Sequence, residues 1–189
     1  MGFEIVRADW ADRAAVVATV VAAFAADPAF RYFFPDDETY PRQAESFAGY
    51  LFDKRVGLGS VWVGEAGQVV SLWEPPEVKE TAPAVLDLPP DAAERLRGYD
   101  EAVHGMLPAQ PFWYLGILAT HPDLAGRGLG RRLLAAGVTT AHADGVPAVL
   151  ETVSSSNVEL YRREGWELLA QIDHPVRTWA LINYPAAQR

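Results

Sequence analysis

The chain has 189 residues, half of them hydrophobic and 22% charged, with a formal net charge of −9 and no cysteine. That length suits one domain spanning residues 1–189 with a substantial core. The missing cysteine excludes disulfides, thiolate metal sites and an acyl-cysteine intermediate, and the negative charge argues against broad contact with a nucleic-acid backbone.

Phe3 to Arg7 alternates apolar and polar residues, as a half-buried first strand does. Glu4, Arg7 and Asp9 come before any apolar segment, which argues against a signal peptide. Asp12 to Ala26 and Tyr40 to Val56 read as helices, with an aromatic-rich loop, Phe30 to Pro35, between them. The first of these is rich in alanine and valine but shorter than the ~18–20 residues a membrane crossing needs, so no membrane association is expected. The lack of cysteine fits a reducing compartment, and the expected location is the cytoplasm.

Val61 to Glu65 and Val69 to Trp73 read as strands joined by a hairpin at Ala66-Gly67. Glu74 to Pro90 carries five prolines and is expected to be irregular; Asp91 to Met106 reads as a helix. Phe112 to Thr120 is apolar at nearly every position, which suits a central strand buried on both faces. In the helix that follows, Leu129, Leu133, Leu134, Val138 and Ala141 form one stripe. Ala148 to Thr152 is a short strand, Asn157 to Glu164 a helix stopped by Gly165, and Glu167 to Ile172 and Thr178 to Ile182 two closing strands. Ser156 and Glu159 have capping-box spacing.

The most informative stretch is Ala125-Gly126-Arg127-Gly128-Leu129-Gly130-Arg131-Arg132, a glycine-rich loop running from a strand into a helix. Amide groups at a helix start have no partner within the helix and carry partial positive charge, so they attract phosphate. Glycines let the main chain close around such a group. A dinucleotide fingerprint requires a third glycine where Arg131 or Arg132 stands, and a P-loop requires Gly-Lys-Ser/Thr, which is absent.

The remaining pattern, G-x-G-x-G after a strand ending in His121-Pro122, resembles the acyl-CoA pyrophosphate loop of the GNAT superfamily of N-acyltransferases. Asn157-Val158-Glu159-Leu160-Tyr161-Arg162-Arg163-Glu164-Gly165-Trp166 is similar to that superfamily's second signature, about thirty residues downstream. The element order βααββαβαβαββ resembles the GNAT fold with one extra helix before the central strand. Expected, therefore, is an α/β (α+β) domain with a mixed sheet of about seven strands, flanked by helices and splayed at its centre. Phe24-Ala25-Ala26-Asp27-Pro28, Arg55-Val56-Gly57-Leu58, Leu150-Glu151-Thr152 and Arg177-Thr178-Trp179 further resemble the puromycin N-acetyltransferase group. The segments Phe30 to Thr39 and Pro83 to Gln110 match that group poorly.

The resemblance implies acetyl-CoA as cosubstrate and a small-molecule amine as acceptor, with the pantetheine arm held between splayed strands by backbone amides of Leu118, Ala119 and Thr120. Ala125 stands where the superfamily has glutamine or arginine, and Arg127, Arg131 or Arg132 offers compensating charge. Tyr161 is the candidate general acid, one turn beyond Asn157 on the same face; the alternative is core packing beside Leu160. Glu151, a carboxylate in an apolar strand, is the candidate base, or else bonds the serine turn that follows. Asn157 contacts the pantetheine, places a water, or caps its helix.

His121 reads as a surface or capping residue, and His104, His142 and His174 are scattered, so no metal site is expected. Tyr32, Phe34, Trp73 and Trp113 are candidates for an aromatic acceptor pocket. A monomer and a homodimer both remain open. Two other functions compete with a small-amine acetyltransferase: a catalytically silent acyl-CoA-binding module, and a protein or peptide N-acetyltransferase.

Overall fold

The computed structural model describes residues 3–77 and 86–186. In chain order these form β1 (Val6–Arg7), α1 (Arg13–Ala23), α2 (Pro28–Phe33), α3 (Tyr40–Val56), β2 (Val61–Gly64), β3 (Val69–Glu74) and α4 (Pro90–His104). They continue through β4 (Trp113–Thr120), α5 (Leu129–Ala143), β5 (Ala148–Thr152), α6 (Ser155–Arg163), β6 (Glu167–Ile172) and β7 (Thr178–Asn183). The strands make one mixed sheet in the order β1-β2-β3-β4-β5-β7-β6. Every pairing is antiparallel except β4 with β5. Much of the proline-rich segment, residues 78–85, lies outside the described residues.

Several local readings need correction. α2 occupies the expected aromatic loop because Asp27 caps it, its carboxylate accepting from Ala29 N and Phe30 N, and Pro28 sits at the first helical position. The first strand shortens to two residues. α6 begins at Ser155, and no side chain caps it, so the capping box does not form. The hairpin turn is a short 3-10 turn, Glu65–Gly67, with all three residues at positive φ.

Apolar side chains fill both faces of the sheet. On one face Val16, Phe30, Phe52 and Ile117 pack under α1 to α4; on the other Trp73, Leu133, Leu150 and Leu181 pack under α5 and α6. A Cβ at Gly137 would lie 2.2 Å from Trp73, so α5 reaches β3 only because that position is glycine.

The central irregularity belongs to β4. Leu72 pairs with Ile117 but Trp73 pairs with Leu115, leaving Gly116 as an extra, bulged residue. A bulge bends its strand, and a lone glycine suits one. β4 and β5 pair at only three positions, the last being Leu115 with Leu150. Beyond them β4 continues beside β3 while Glu151 and Thr152 pair with β7. The sheet therefore opens at its centre, immediately past the last paired residues. This also explains why β4 is not buried on both faces: Tyr114, Gly116 and Leu118 are half-buried and line the opening.

Candidate active site

A cavity of about 570 Å³ extends from the opening between β4 and β5 to the helices α2, α3 and α4. Side chains alternate along β5, so Glu151 turns away from the core that buries Leu150 and lines this cavity. Tyr114, on the neighbouring strand, donates its hydroxyl hydrogen to Glu151 Oε2. Burial pushes the Glu151 carboxyl up from its ordinary 4.5 to about 7; the Tyr114 hydrogen bond and the Arg55 charge act in the opposite direction. Burial first, and then the charge of Glu151, hold the Tyr114 hydroxyl well above its ordinary range. Tyr114 thus keeps its proton, and Glu151 is the member of the pair that titrates near neutrality.

Tyr161 reaches the same cavity from α6, its ring tilted against Trp166 with centroids 6.0 Å apart. Burial, followed by the nearby charge of Glu151, pushes its hydroxyl up to about 12. It stays protonated and able to donate. Asn157 lies one turn earlier on the cavity wall, its Nδ2 donating to Thr152 Oγ1 at 3.5 Å. The serine turn is held by the neighbouring residue, Ser154 N donating to Thr152 Oγ1.

Arg55, only 4% exposed, supports the bulge from behind. Its Nη2 donates to Glu74 Oε2 at 2.9 Å and its Nη1 to Leu51 O at 3.1 Å. A Cβ on Gly116 would lie 3.3 Å from Arg55 Nη2, so a guanidinium sits directly against the bulged peptide.

At the far end of β4 the glycine loop is exposed, with Gly126 at φ 76° and Gly128 at φ 71°, and no side chain caps α5. Both angles lie in the left-handed region, which costs non-glycine residues energy. The first amides of the 15-residue α5 are thus left to face an anion. Gly130 meets Thr120 Oγ1 closely enough, 3.1 Å from a notional Cβ, to hold the loop against the strand. The exposed helix start follows the end of β4, and the parted strands and the cavity lie along that same strand. This order suits a phosphate-bearing head group joined to a long, thin acyl carrier.

An Acetyltransferase (GNAT) family model matches residues 25–166. The chain belongs to the GNAT acetyltransferase family. Solved structures share the fold of this GNAT protein. One is "histone acetyltransferase HPA2 and related acetyltransferase" from Corynebacterium glutamicum, 24% identical, with 98% of each chain covered and a TM-score of 0.72. Another is the C-terminal condensation domain of Ebony in complex with β-alanyl-dopamine, 12% identical, covering 97% of this chain and 99% of that one, with a TM-score of 0.74. A third is the Drosophila melanogaster polyamine N-acetyltransferase, 15% identical, covering 97% and 100%, with a TM-score of 0.64.

Of the residues singled out in the sequence of this GNAT protein, Glu151, Tyr161, Asn157 and Leu118 line the cavity. Ala119 is buried beneath α1, Thr120 ends β4, Ala125, Gly126, Arg127 and Gly128 make the loop, and Leu129, Gly130 and Arg131 open α5. The arginines do not converge on the loop: Arg131 pairs with Glu164, Arg132 donates to Phe3 O and lies over its ring, and Arg127 donates to Asp123 O. His121 caps the short turn after β4, its Nδ1 accepting from Asp123 N. Among the described residues no group of three His, Cys, Asp or Glu side chains is arranged to hold a metal ion.

The four aromatic candidates do not line the cavity. Phe34 and Trp73 are fully buried core, Trp113 donates to Asp144 Oδ2 on the α5 face, and Tyr32 packs on Phe33 outside it. The aromatic wall is built instead by Phe24, Phe30, Phe33, Phe47 and Tyr50. Tyr114, Arg55 and Asp27 also belong to the site and were not singled out as functional. The lone glycine in an apolar strand and the Asp-Pro pair before an aromatic run were the available signals.

Proposed function

We propose that this protein transfers an acetyl group from acetyl-CoA to the primary amine of a small molecule, by direct attack within a ternary complex. The observation that carries this reading is Glu151, a carboxylate near pKa 7 in a cavity that opens between parted strands beside a protonated tyrosine. A general base works best when its pKa lies near the working pH. Glu151 takes the proton from the incoming ammonium, directly or through one water, with Tyr114 holding its carboxylate in place. The amine then forms its bond to the acetyl carbon as the carbon–sulfur bond breaks; Tyr161 protonates the departing sulfur, and the second proton shed by the nitrogen returns to the tyrosine oxygen, directly or through water. A backbone amide in the bulged stretch Gly116 to Ala119 would stabilise charge developing on the acetyl oxygen, a contribution of about 3 kcal/mol for one such donor. The loop amides from Gly126 to Arg131 would grip the diphosphate.

A cavity walled by α2, α3 and α4 favours a small acceptor over a long peptide, as does the resemblance to the puromycin N-acetyltransferase group. A thiol-release assay with acetyl-CoA against a panel of amines, aminonucleosides included, tests the proposal. Turnover on at least one is expected; coenzyme binding without turnover on any would instead support the silent module.

A further inference from the structure

The acetyltransferase reading leaves the acceptor open, and the wall opposite Glu151 narrows it. Asp27 caps α2 with one oxygen only: Oδ1 accepts from Ala29 N at 2.9 Å and from Phe30 N at 3.1 Å. Among the described residues nothing hydrogen-bonds or ion-pairs its second oxygen, although Asp27 lines the cavity. Capping does not require the charge, since asparagine and serine cap equally well. The other charged groups on the wall already have partners. Lys54 and Arg55 meet Glu74, Arg97 meets Glu101, and His104 meets Asp100. Burial holds the Asp27 carboxyl above its ordinary pKa, as expected for a charge with no cation beside it.

Aromatic rings line the same cavity as this carboxylate. Phe24 and Phe30 lie 4.5 Å apart between centroids, Phe30 and Phe47 5.7 Å, and Phe33 and Tyr99 5.1 Å. Phe24, Phe47 and Tyr50 keep part of their surface open. The Tyr99 hydroxyl lies within electrostatic reach of both Asp27 and Glu151, so the two carboxylates border one space.

Resting on the acetyltransferase reading, the geometry points to an acceptor that joins its reactive amine to an aromatic ring and carries a second hydrogen-bond donor or positive charge, with Asp27 as the residue that selects it. The reactive amine faces Glu151, the ring packs on the phenylalanines, and the distal donor meets Asp27 Oδ2. An aliphatic diamine satisfies Asp27 and wastes the rings; a plain arylalkylamine does the reverse.

The test uses four amines: 4-(2-aminoethyl)phenol, 2-phenylethylamine, 1,4-diaminobutane and hexylamine. For the wild type, kcat/KM is expected to be highest for the phenol, about tenfold above 2-phenylethylamine, the size of one hydrogen bond to a charged group. Asp27→Asn keeps the cap and removes the charge, and is expected to bring that ratio to about one; Asp27→Ser serves as the second capping variant should the first fold poorly. Equal kcat/KM for all four amines, or a phenol preference untouched in both variants, overturns the inference. Calorimetric binding of the same amines in the presence of coenzyme A separates the two claims. The same ranking without turnover keeps the selectivity and removes the enzyme reading, whereas turnover without ranking does the opposite.

Discussion

Replacing Glu151 with glutamine is expected to make the protein more stable and much less active, and the two effects have one cause. The carboxyl sits at about 7 when folded against an ordinary 4.5. A carboxyl with a raised folded pKa holds its proton more tightly in the folded state. Its contribution to stability is therefore fully present below pH 4.5 and is lost as pH rises through 7. At about 1.4 kcal/mol per pH unit the loss comes to about 3 kcal/mol. Glutamine, neutral at every pH, escapes it. Urea unfolding at pH 8 is expected to show Glu151→Gln more stable by about 3 kcal/mol, a midpoint shift of about 1.5 M for a slope of about 2 kcal/mol/M. At pH 4.5 the difference shrinks towards zero. Turnover of the variant is expected to fall by about 10²- to 10³-fold, and the rise of wild-type kcat/KM through pH 7 to disappear. A stability difference independent of pH, or an unchanged pH–rate profile, would refute the reasoning.

Two further substitutions probe the rest of the path. Tyr161→Phe removes the proton donor and little volume, and is expected to lower kcat by roughly 10²-fold while calorimetry finds acetyl-CoA affinity intact. Unchanged turnover would return Tyr161 to the core it shares with Trp166. Gly128→Ala places a Cβ at φ 71°, a conformation costing about 1–2 kcal/mol, and is expected to raise the KM for acetyl-CoA about tenfold with the acceptor KM nearly constant. Equal effects on both constants in steady-state kinetics would argue against a loop specific to the coenzyme.

The fold was readable because its signals are local. An apolar stripe marked α5, and Gly165, at φ 84°, stopped α6 as its type suggests. Glu151 and Tyr161 stood out as a carboxylate in an apolar strand and a phenol one turn beyond Asn157. What escaped depends on pairing across the sheet. Tyr114 is 37 residues from Glu151, and only the short parallel register of β4 with β5 brings them together. The bulge at Gly116 likewise exists only relative to β3. The four aromatic candidates do not line this cavity because tryptophan and phenylalanine suit a core as well as a pocket, and composition does not distinguish the two. Trp73, fully buried against Gly137, shows the difficulty.

The most direct measurement is a crystal structure of the wild-type protein with coenzyme A. The diphosphate is expected on the amides between Gly126 and Arg131, with the arm passing between β4 and β5 and its sulfur facing Glu151 and Tyr161. Coenzyme bound elsewhere, with the gap past Leu115 and Leu150 still empty, would contradict the account.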